Sequence, residues 1–488
     1  MHNNKRLILS ALTASLLLTP ITSCGTVVER AGTEDSVAVI APRTTSSDAS
    51  SDGTSVTETT TSEAKDSSDN MRGYLLDSNG TKLMFSERDD SGKEVRMTND
   101  SNKVAFANVL NEMSEGLDLT YDNLLRTANP SPVDGDSKVG QSVQLTFDAD
   151  TQNAVYDYMA GKNLVGSVVV MRTDGSLMAQ VSYPSYDPDV YYGVDTEEDL
   201  AWGTYGNKAF QNAEPGSCFK IMSEVIADKH GATCFYDEGT WEFDGVKIVN
   251  WDHENTWNYP VAERTLYSAF VNSSNIFFAK AFDQIGKEDV LADLDSIFHF
   301  SSDIDCDFGK IHNNVEIYCD DDLRRTAFGQ SYVLTCPLYL AALGREAVFG
   351  DMVVPFTIKD IVDTSDNSKV INHGTTPNRV ICSIPEEYRA NLLSGMSGVG
   401  SNIGLSVPSG YEFYAKTGTA ETWKNDFLYI TGILKNPGDN GSGTYSDYSS
   451  YDGSYIIVMQ IQNPEYFGFS FASDSVSLYQ GIINAVIG

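Results

Sequence analysis

The sequence predicts a mixed α/β (α+β) fold in which an antiparallel sheet is covered by helices, with a small domain ahead of it. Residues 427–434 and 455–461 are apolar enough for central strands, and a polar loop rich in Gly, Ser, Asp and Tyr separates them. The closing segment, residues 473–487, has the apolar spacing of a helix. This succession of strand, polar loop, strand and helix fits an antiparallel sheet with helices packed on it.

Turn signals place the earlier elements. Asn79-Gly80 is a hairpin signal, and one helix is expected over residues 104–113. Thr-Asp-Gly at residues 173–175 is flanked by apolar runs and predicts a second hairpin. We therefore expect a small N-terminal domain at residues 71–141, without chemistry of its own. The main domain is expected at residues 142–488.

The front of the chain resembles a lipoprotein signal. Lys5 and Arg6 precede an apolar run over residues 7–20, which is short for a membrane span but fits a signal peptide. Residues 21–25 read Ile-Thr-Ser-Cys-Gly, which resembles a bacterial lipobox. We expect residues 1–23 to be cleaved and Cys24 to be lipidated, which anchors the protein on the extracytoplasmic face of a bacterial cell membrane. An uncleaved signal anchor is the alternative.

Residues 24–70 are expected to form a disordered tether. More than half of residues 44–70 are Ser or Thr, and Val56 is the only large apolar residue among them. Such a segment cannot bury enough apolar surface to fold. It would hold the following domains away from the bilayer.

The net charge limits the kinds of partner that the protein can bind, and the cysteine content bears on whether it forms disulfides. The formal net charge of −35 argues against nucleic acid as a partner and makes any basic residue in a cleft conspicuous. Of seven cysteines, six remain after Cys24. A domain this large does not need disulfides, although Cys306 and Cys319 are the nearest pair in sequence. Cys218 and Cys336 are expected to fill space in the core.

Three short motifs carry the chemistry. Residues 215–220 read Pro-Gly-Ser-Cys-Phe-Lys, residues 273–275 read Ser-Ser-Asn, and residues 416–419 read Lys-Thr-Gly-Thr. At a helix start, Ser217 and Lys220 would project from one face. A hydroxyl needs a base to react near neutral pH, and a lysine can be that base only when burial or a second cation keeps it uncharged. Lys416 could be the second cation.

These motifs resemble the S-x-x-K, S-x-N and K-T-G signature shared by penicillin-binding proteins and class A β-lactamases. The sequence is identified as similar to class B penicillin-binding proteins, and among them to the small penicillin-binding-protein-A-like members. The resemblance implies a serine β-lactamase/transpeptidase-like domain, preceded by a small N-terminal domain of the pedestal or dimerisation type. The similarity extends over residues 72–80, 145–148, 166–170, 183–188, 207–210, 329–330 and 337–341.

The resemblance also implies a function and a set of roles. The function is that of a penicillin-sensitive serine D,D-transpeptidase, which cross-links peptidoglycan stem peptides without a cofactor or a metal and is acylated by β-lactams. A wall-polymerising glycosyltransferase is a possible partner. The implied catalytic residues are Ser217, Lys220, Ser273, Asn275 and Lys416. The implied substrate-binding residues are Thr417, Gly418 and Thr419.

Some alternatives remain at this point. Ser274 is the alternative to Ser273 as the reacting serine of the second motif. A D,D-carboxypeptidase, a β-lactam sensor and an idle scaffold are the alternative functions. A β-lactamase is disfavoured, because the sequence shows no Glu-x-x-x-Asn-type element placed to activate a deacylating water. The chain departs from the family pattern at Cys218, Cys336 and Ser331, where Thr, Thr and Gly are usual. These departures affect the fit of the pocket rather than the reacting groups.

Overall fold

The computed structural model describes residues 69–111, 116–190, 203–243, 245–252, 262–422, 426–443, 448 and 451–488. The expected signal peptide, Cys24 and nearly all of the tether lie outside the described residues. The described residues belong to one compact unit, Glu63–Gly488. Within them, no helix has both the length and the apolarity that crossing a membrane requires.

The strands and helices are numbered here in chain order. The strands are β1 (Leu75–Leu76), β2 (Lys82–Arg88), β3 (Glu94–Thr98), β4 (Ser142–Leu145), β5 (Gly166–Arg172), β6 (Leu177–Tyr183), β7 (Cys234–Asp237), β8 (Thr240–Phe243), β9 (Val246–Val249), β10 (Ala262–Thr265), β11 (Ile304–Cys306), β12 (Gly309–Ile311), β13 (Asn314–Glu316), β14 (Tyr332–Leu334), β15 (Asp351–Val353), β16 (Ile358–Asp363), β17 (Asp366–His373), β18 (Val380–Ser383), β19 (Glu412–Ala420), β20 (Phe427–Lys435) and β21 (Tyr455–Gln462). The α-helices are α1 (Lys103–Leu110), α2 (Leu117–Thr120), α3 (Asp122–Arg126), α4 (Ala149–Lys162), α5 (Lys220–Lys229), α6 (Leu266–Val271), α7 (Asn275–Ile285), α8 (Lys287–Ser296), α9 (Asp320–Thr326), α10 (Pro337–Phe349), α11 (Glu386–Asn402) and α12 (Val476–Ile487).

The main sheet has five antiparallel strands in the order β19-β20-β21-β5-β6. Almost every residue of β20 and β21 is buried, which is typical of central strands covered on both faces. The predicted succession of strand, polar loop, strand and closing helix is therefore confirmed. Gly175, at φ +95°, forms the predicted turn between β5 and β6.

Helices cover both faces of this sheet. A Cβ built on Gly344 of α10 would lie 3.1 Å from Thr431 and 3.3 Å from Ile433, whereas one built on Gly432 would meet the hydroxyl of Tyr479 of α12. Because successive residues of a strand point to opposite faces, α10 and α12 pack on opposite sides of β20. The α+β fold with an antiparallel sheet covered by helices is as predicted.

A second sheet joins distant parts of the chain. Its six strands run in the order β17-β16-β4-β1-β2-β3, and the short β1 pairs in parallel with β4. Gly80, at φ +87°, lies in the predicted turn between β1 and β2. Strands from both sides of the expected domain boundary at residue 141 thus share one sheet, and the boundary itself stays a prediction. Of the helix expected over residues 104–113, α1 covers the part up to Leu110, while residues 112–113 lie outside the described ranges.

The six cysteines of the described residues are all free thiols. Cys218 and Cys336 are buried, as predicted, at 0% and 1% exposure. Neither is exposed enough to react.

Candidate active site

The first motif lies on a tight turn in front of a helix. Residues Gly216–Phe219 form a 3₁₀ turn, the serine turn, and α5 begins at Lys220. The sequence predicted Ser217 as the start of the α-helix, but the tighter turn precedes it. Ser217 and Lys220 still lie on one face, with Oγ of Ser217 2.9 Å from Nζ of Lys220, because residues three positions apart are aligned in a 3₁₀ turn.

Lys220 is fully buried and reaches the second motif with the same amine. Its Nζ donates to the backbone oxygen of Ser273 and to Oδ1 of Asn275, both at 2.7 Å, and lies 3.2 Å from Oγ of Ser273. Burial, together with the positive charge of Lys416, holds the pKa of Lys220 well below its usual range. The amine is thus biased towards its uncharged form.

The second motif lies on the turn between α6 and α7. Ser273 has φ +55°, a left-handed conformation that few residues other than glycine adopt, and this turns its hydroxyl towards the two lysines. Ser274 instead caps α7, with Oγ accepting from the backbone N–H of Phe277 at 3.0 Å. The geometry therefore gives the two adjacent serines different surroundings, and only Ser273 contacts both amines.

The third motif lies on β19, the edge strand of the main sheet. Lys416 is 1% exposed, and its Nζ donates to Oγ of Ser273 at 3.0 Å and to the backbone oxygen of Thr417 at 3.1 Å. Burial lowers the pKa of Lys416 to about 8, although the neighbouring Cys218 thiol acts in the opposite direction. A Cβ on Gly418 would lie 2.6 Å from the oxygen of Pro215, so only glycine allows β19 to approach the serine turn.

The serine turn also packs against the backbone of Thr419. Gly216 has φ +52°, and a Cβ added there would lie 2.2 Å from the oxygen of Thr419. In a strand, the N–H and C=O of one residue point to the same edge, so the N–H of Thr419 also faces the serine turn. Cys218, on the same turn, places its Sγ 3.5 Å from the backbone oxygen of Lys416.

A cleft of about 620 Å³ opens over these groups. It is lined by Ser217, Ser273, Asn275, Thr417 and Thr419 among the predicted residues, while Lys220 and Lys416 lie beneath them with their amines on the lining hydroxyls. The structure thus brings three distant motifs to one site. Other residues lining the cleft that no motif indicated include Lys247, Asn250, Trp251, Arg325, Gln330 and Phe471.

The departure at residue 331 also lies beside the cleft. Ser331 has φ +75°, where glycine is usual, and its Oγ donates to Oδ1 of Asp322 at 2.8 Å. That hydrogen bond holds the left-handed residue next to Gln330, which lines the cleft. Ser331 therefore adopts the left-handed conformation that glycine favours.

A comparison with family models gives a match over residues 166–474, to the penicillin binding protein transpeptidase domain. The chain belongs to this family. The match covers the five-stranded sheet and all three motifs, and the prediction of a class B penicillin-binding protein is confirmed.

Curated relatives and solved structures agree with this assignment. The chain is 24% identical over 421 residues to a peptidoglycan D,D-transpeptidase FtsI homolog of Mesostigma viride, covering 74% of this chain and 65% of that protein. It is 23% identical over 429 residues to peptidoglycan D,D-transpeptidase MrdA of Haemophilus influenzae, covering 80% of this chain and 64% of that protein. The chain thus spans just under two thirds of the length of these relatives.

Among solved structures, penicillin-binding protein A of M. tuberculosis, as an imipenem acyl-enzyme, superposes with a TM-score of 0.69 at 19% identity. That match covers 86% of this chain and 99% of the solved one. A D,D-transpeptidase domain from Eggerthella lenta gives a TM-score of 0.67 at 19% identity, covering 86% of this chain and 98% of that one. At these identities, the superpositions establish the fold of the serine β-lactamase/transpeptidase-like domain.

Proposed function

We propose that this protein is a penicillin-sensitive serine D,D-transpeptidase that cross-links peptidoglycan stem peptides through an acyl-enzyme on Ser217. The observation that carries the proposal is the set of contacts around one buried amine, the Nζ of Lys220, which joins Ser217 to Ser273 and Asn275. The curated relatives are named as D,D-transpeptidases, which supports the same reaction here.

The base is Lys220 in its uncharged form. A neutral amine has two N–H groups and one lone pair. The two shortest contacts of Nζ, each 2.7 Å, go to the Ser273 backbone oxygen and to Asn275 Oδ1, and such oxygens can only accept. Both N–H groups are thereby used, so the lone pair is left for the hydroxyl hydrogen of Ser217 at 2.9 Å. The lowered pKa of Lys220 favours this uncharged form.

Acylation follows from this arrangement. Oγ of Ser217 attacks the carbonyl carbon between two terminal D-alanines while its proton passes to Lys220. The oxyanion that develops is stabilised by the backbone N–H groups of Ser217 and Thr419. Ser273, which contacts both amines, relays a proton to the departing D-alanine nitrogen, and an ester on Ser217 remains.

The terminal carboxylate of the substrate binds at the third motif. Lys416 is the cation next to the lining hydroxyls of Thr417 and Thr419, and Gly418 lets the β19 backbone run close to the serine turn. Asn275 holds a substrate amide from the opposite wall. β-Lactams react at the same serine because they present a carboxylate and a reactive carbonyl in a similar arrangement.

Cross-linking completes the reaction when an amine of a neighbouring stem peptide attacks the ester and Ser217 recovers its proton. The experiment supplies the soluble domain with a stem pentapeptide and an acceptor amine, and follows D-alanine release and the mass of the peptide product. A product joined to the acceptor supports the transpeptidase. A shortened peptide with a free carboxylate, formed when water takes the acyl group, instead indicates a carboxypeptidase. If no D-alanine is released, the protein is a scaffold without catalytic activity.

The compartment is part of the same proposal. Residues 1–23 are removed, Cys24 carries lipid, and the tether holds the enzyme outside the cytoplasmic membrane, in the region where wall is being assembled. A wall-polymerising glycosyltransferase is the partner that would supply new strands. The lipobox-like residues 21–25 support this placement.

A further inference from the structure

A buried acid that belongs to none of the three motifs lies behind the second one. Asp237, the last residue of β7, is 0% exposed. Its carboxylate accepts from the backbone N–H of Gly239 at 2.9 Å, from Nδ2 of Asn250 at 3.0 Å to each oxygen, and from Oγ of Ser274 at 2.7 Å. The guanidinium of Arg264 lies 3.6 Å away and adds a positive charge. A carboxylate with these partners can only accept, so each partner must present a hydrogen to it.

This requirement fixes the orientation of Asn250. Because its NH₂ group donates to Asp237, its Oδ1 must point the other way, towards the N-terminus of α7. There it accepts from the backbone N–H of Asn275 at 2.7 Å and of Ile276 at 3.2 Å. The first N–H groups of a helix have no partner within the helix, so one amide oxygen satisfies two of them.

The same requirement fixes Ser274. Its single hydroxyl hydrogen goes to Asp237, which leaves the lone pairs of Oγ for the backbone N–H of Phe277 at 3.0 Å. The first three N–H groups of α7 are thus all held by side chains that Asp237 orients. Nδ2 of Asn275 also donates to the backbone oxygen of Val249 at 3.0 Å, which turns Oδ1 of Asn275 towards Lys220.

We propose that Asp237, acting through Asn250 and Ser274, is the positioning residue that sets the start of α7 and thereby the contact of Asn275 with the base Lys220. Asp237 touches no reacting atom. It orders the groups that do, because its carboxylate only accepts hydrogen bonds and so fixes the orientation of the Asn250 amide and of the Ser274 hydroxyl. This inference rests on the proposed function, since the contact it controls is that of the catalytic amine.

The test compares Asp237→Asn with a matched control, Asp293→Asn. Asp293 is also a buried acid, 3% exposed, with hydrogen bonds from His230 and Lys229, but it lies on α8 and does not line the cleft. Both changes should lower the unfolding temperature. Only Asp237→Asn should lower the rate constant of acylation by a fluorescent penicillin, by about 10- to 100-fold, as expected for a misplaced reacting group.

A pH profile separates positioning from simple loss of packing. The charged and titratable groups that act on Lys220 are Lys416 of β19, Asp237, and the Cys218 thiol of the serine turn. The negative charge of Asp237 raises the pKa of Lys220, so its removal should move the ascending limb of the acylation profile to lower pH. Asp293→Asn should leave that limb in place.

A double variant in which the residues at positions 237 and 250 are exchanged tests the inference even if a single variant folds poorly. Asn250→Asp alone sets two carboxylates against each other and should abolish labelling. In Asp237→Asn with Asn250→Asp, the amide at position 237 can again donate to position 250 and accept from Ser274, so acylation should recover at least tenfold over either single variant. No recovery in the exchanged protein would overturn the inference, as would an unchanged rate and profile in Asp237→Asn.

Results that contradict the positioning role of Asp237 can be distinguished from results that contradict the proposed function. Absence of labelling in the wild-type protein would contradict the serine enzyme itself and the inference with it. Normal labelling of the wild type, together with normal labelling of Asp237→Asn, would contradict the positioning role alone.

Discussion

The Nζ of Lys220 donates to Oδ1 of Asn275 at 2.7 Å, although the two residues are 55 positions apart in the sequence. This contact ties α5, which begins at the proposed base Lys220, to α7, which begins at the last residue of the second motif. The amide of Asn275 is neutral, so it adds no charge beside Lys220 that would favour the ammonium form.

Replacing the neutral amide of Asn275 by an acid should keep Lys220 protonated and so prevent it from acting as a base. In Asn275→Asp, the new carboxylate favours the cationic form of Lys220 and lowers the uncharged fraction at pH 7 by at least about tenfold. Acylation by a labelled penicillin should fall accordingly and recover as the pH is raised. Asn123→Asp adds the same charge at an exposed position of α3 and should change the rate little. An equal loss in both variants would argue against a neutral base.

The pH dependence of the wild-type enzyme should be bell-shaped. The rate should rise as Lys220 loses its proton and should fall above a pH of about 8, where Lys416 loses the charge proposed to attract the substrate carboxylate. A β-lactam whose carboxylate is esterified should therefore lack the descending limb. Stopped-flow acylation with the acid and its ester measures both profiles, and identical limbs would mean that Lys416 does not bind the carboxylate.

The two adjacent serines should separate in function. Ser273→Ala removes the hydroxyl between two lysines and should slow acylation by roughly 10²- to 10⁴-fold, the range for a lost proton-transfer group. Ser274→Ala removes a helix cap and should cost about 0.5–2 kcal/mol of stability with a smaller loss of rate. Acylation kinetics and chemical denaturation of both variants measure the ranking. The reverse order would reassign the relay to Ser274.

Gly216 should tolerate no side chain. In Gly216→Ala, the left-handed φ and the Thr419 oxygen at 2.2 Å from the new Cβ force the serine turn away from β19, so labelling should be lost. Gly161→Ala is the control, because a Cβ there meets nothing within 4 Å. That change, in the last turn of α4, should stabilise the protein by about 0.5–1 kcal/mol. Labelling and thermal unfolding report both effects, and normal labelling of Gly216→Ala would contradict the packing of the turn on β19.

Membrane anchoring should depend on one thiol. In a bacterial host, Cys24→Ala should release the protein from the membrane fraction or leave the signal uncleaved, since no acceptor for lipid remains. Fractionation and the intact mass of the purified protein distinguish these states. Retention of a processed form in the membrane would contradict lipidation at Cys24.

The motif residues could be found from the sequence because their spacing carries the chemistry. Ser217 and Lys220 three positions apart indicate one face of a helical turn, but that spacing is common to α and 3₁₀ geometry, so the sequence could not show that the serine precedes the α-helix. Asp237 and Asn250 had no such signal. They are single polar residues around a hairpin, and their importance appears only once the fold brings them under α7.

The two large sheets also differ in how far the sequence predicts them. Strands β20 and β21 were predicted because each is a continuous apolar run of central-strand length. The six-stranded sheet was not, since β1 has only two residues and pairs with residues of β4 that lie 68 positions later in the sequence. Such non-local pairing leaves no local pattern in the sequence.

The proposed function depends above all on acylation of Ser217 through the neutral amine of Lys220. Intact-mass analysis of the soluble domain after exposure to penicillin, followed by peptide mapping, tests it most directly. We expect one penicilloyl group per chain, on the peptide that contains Ser217, and none in Ser217→Ala. Equal labelling of Ser217→Ala, or a label mapped to another residue, would contradict it.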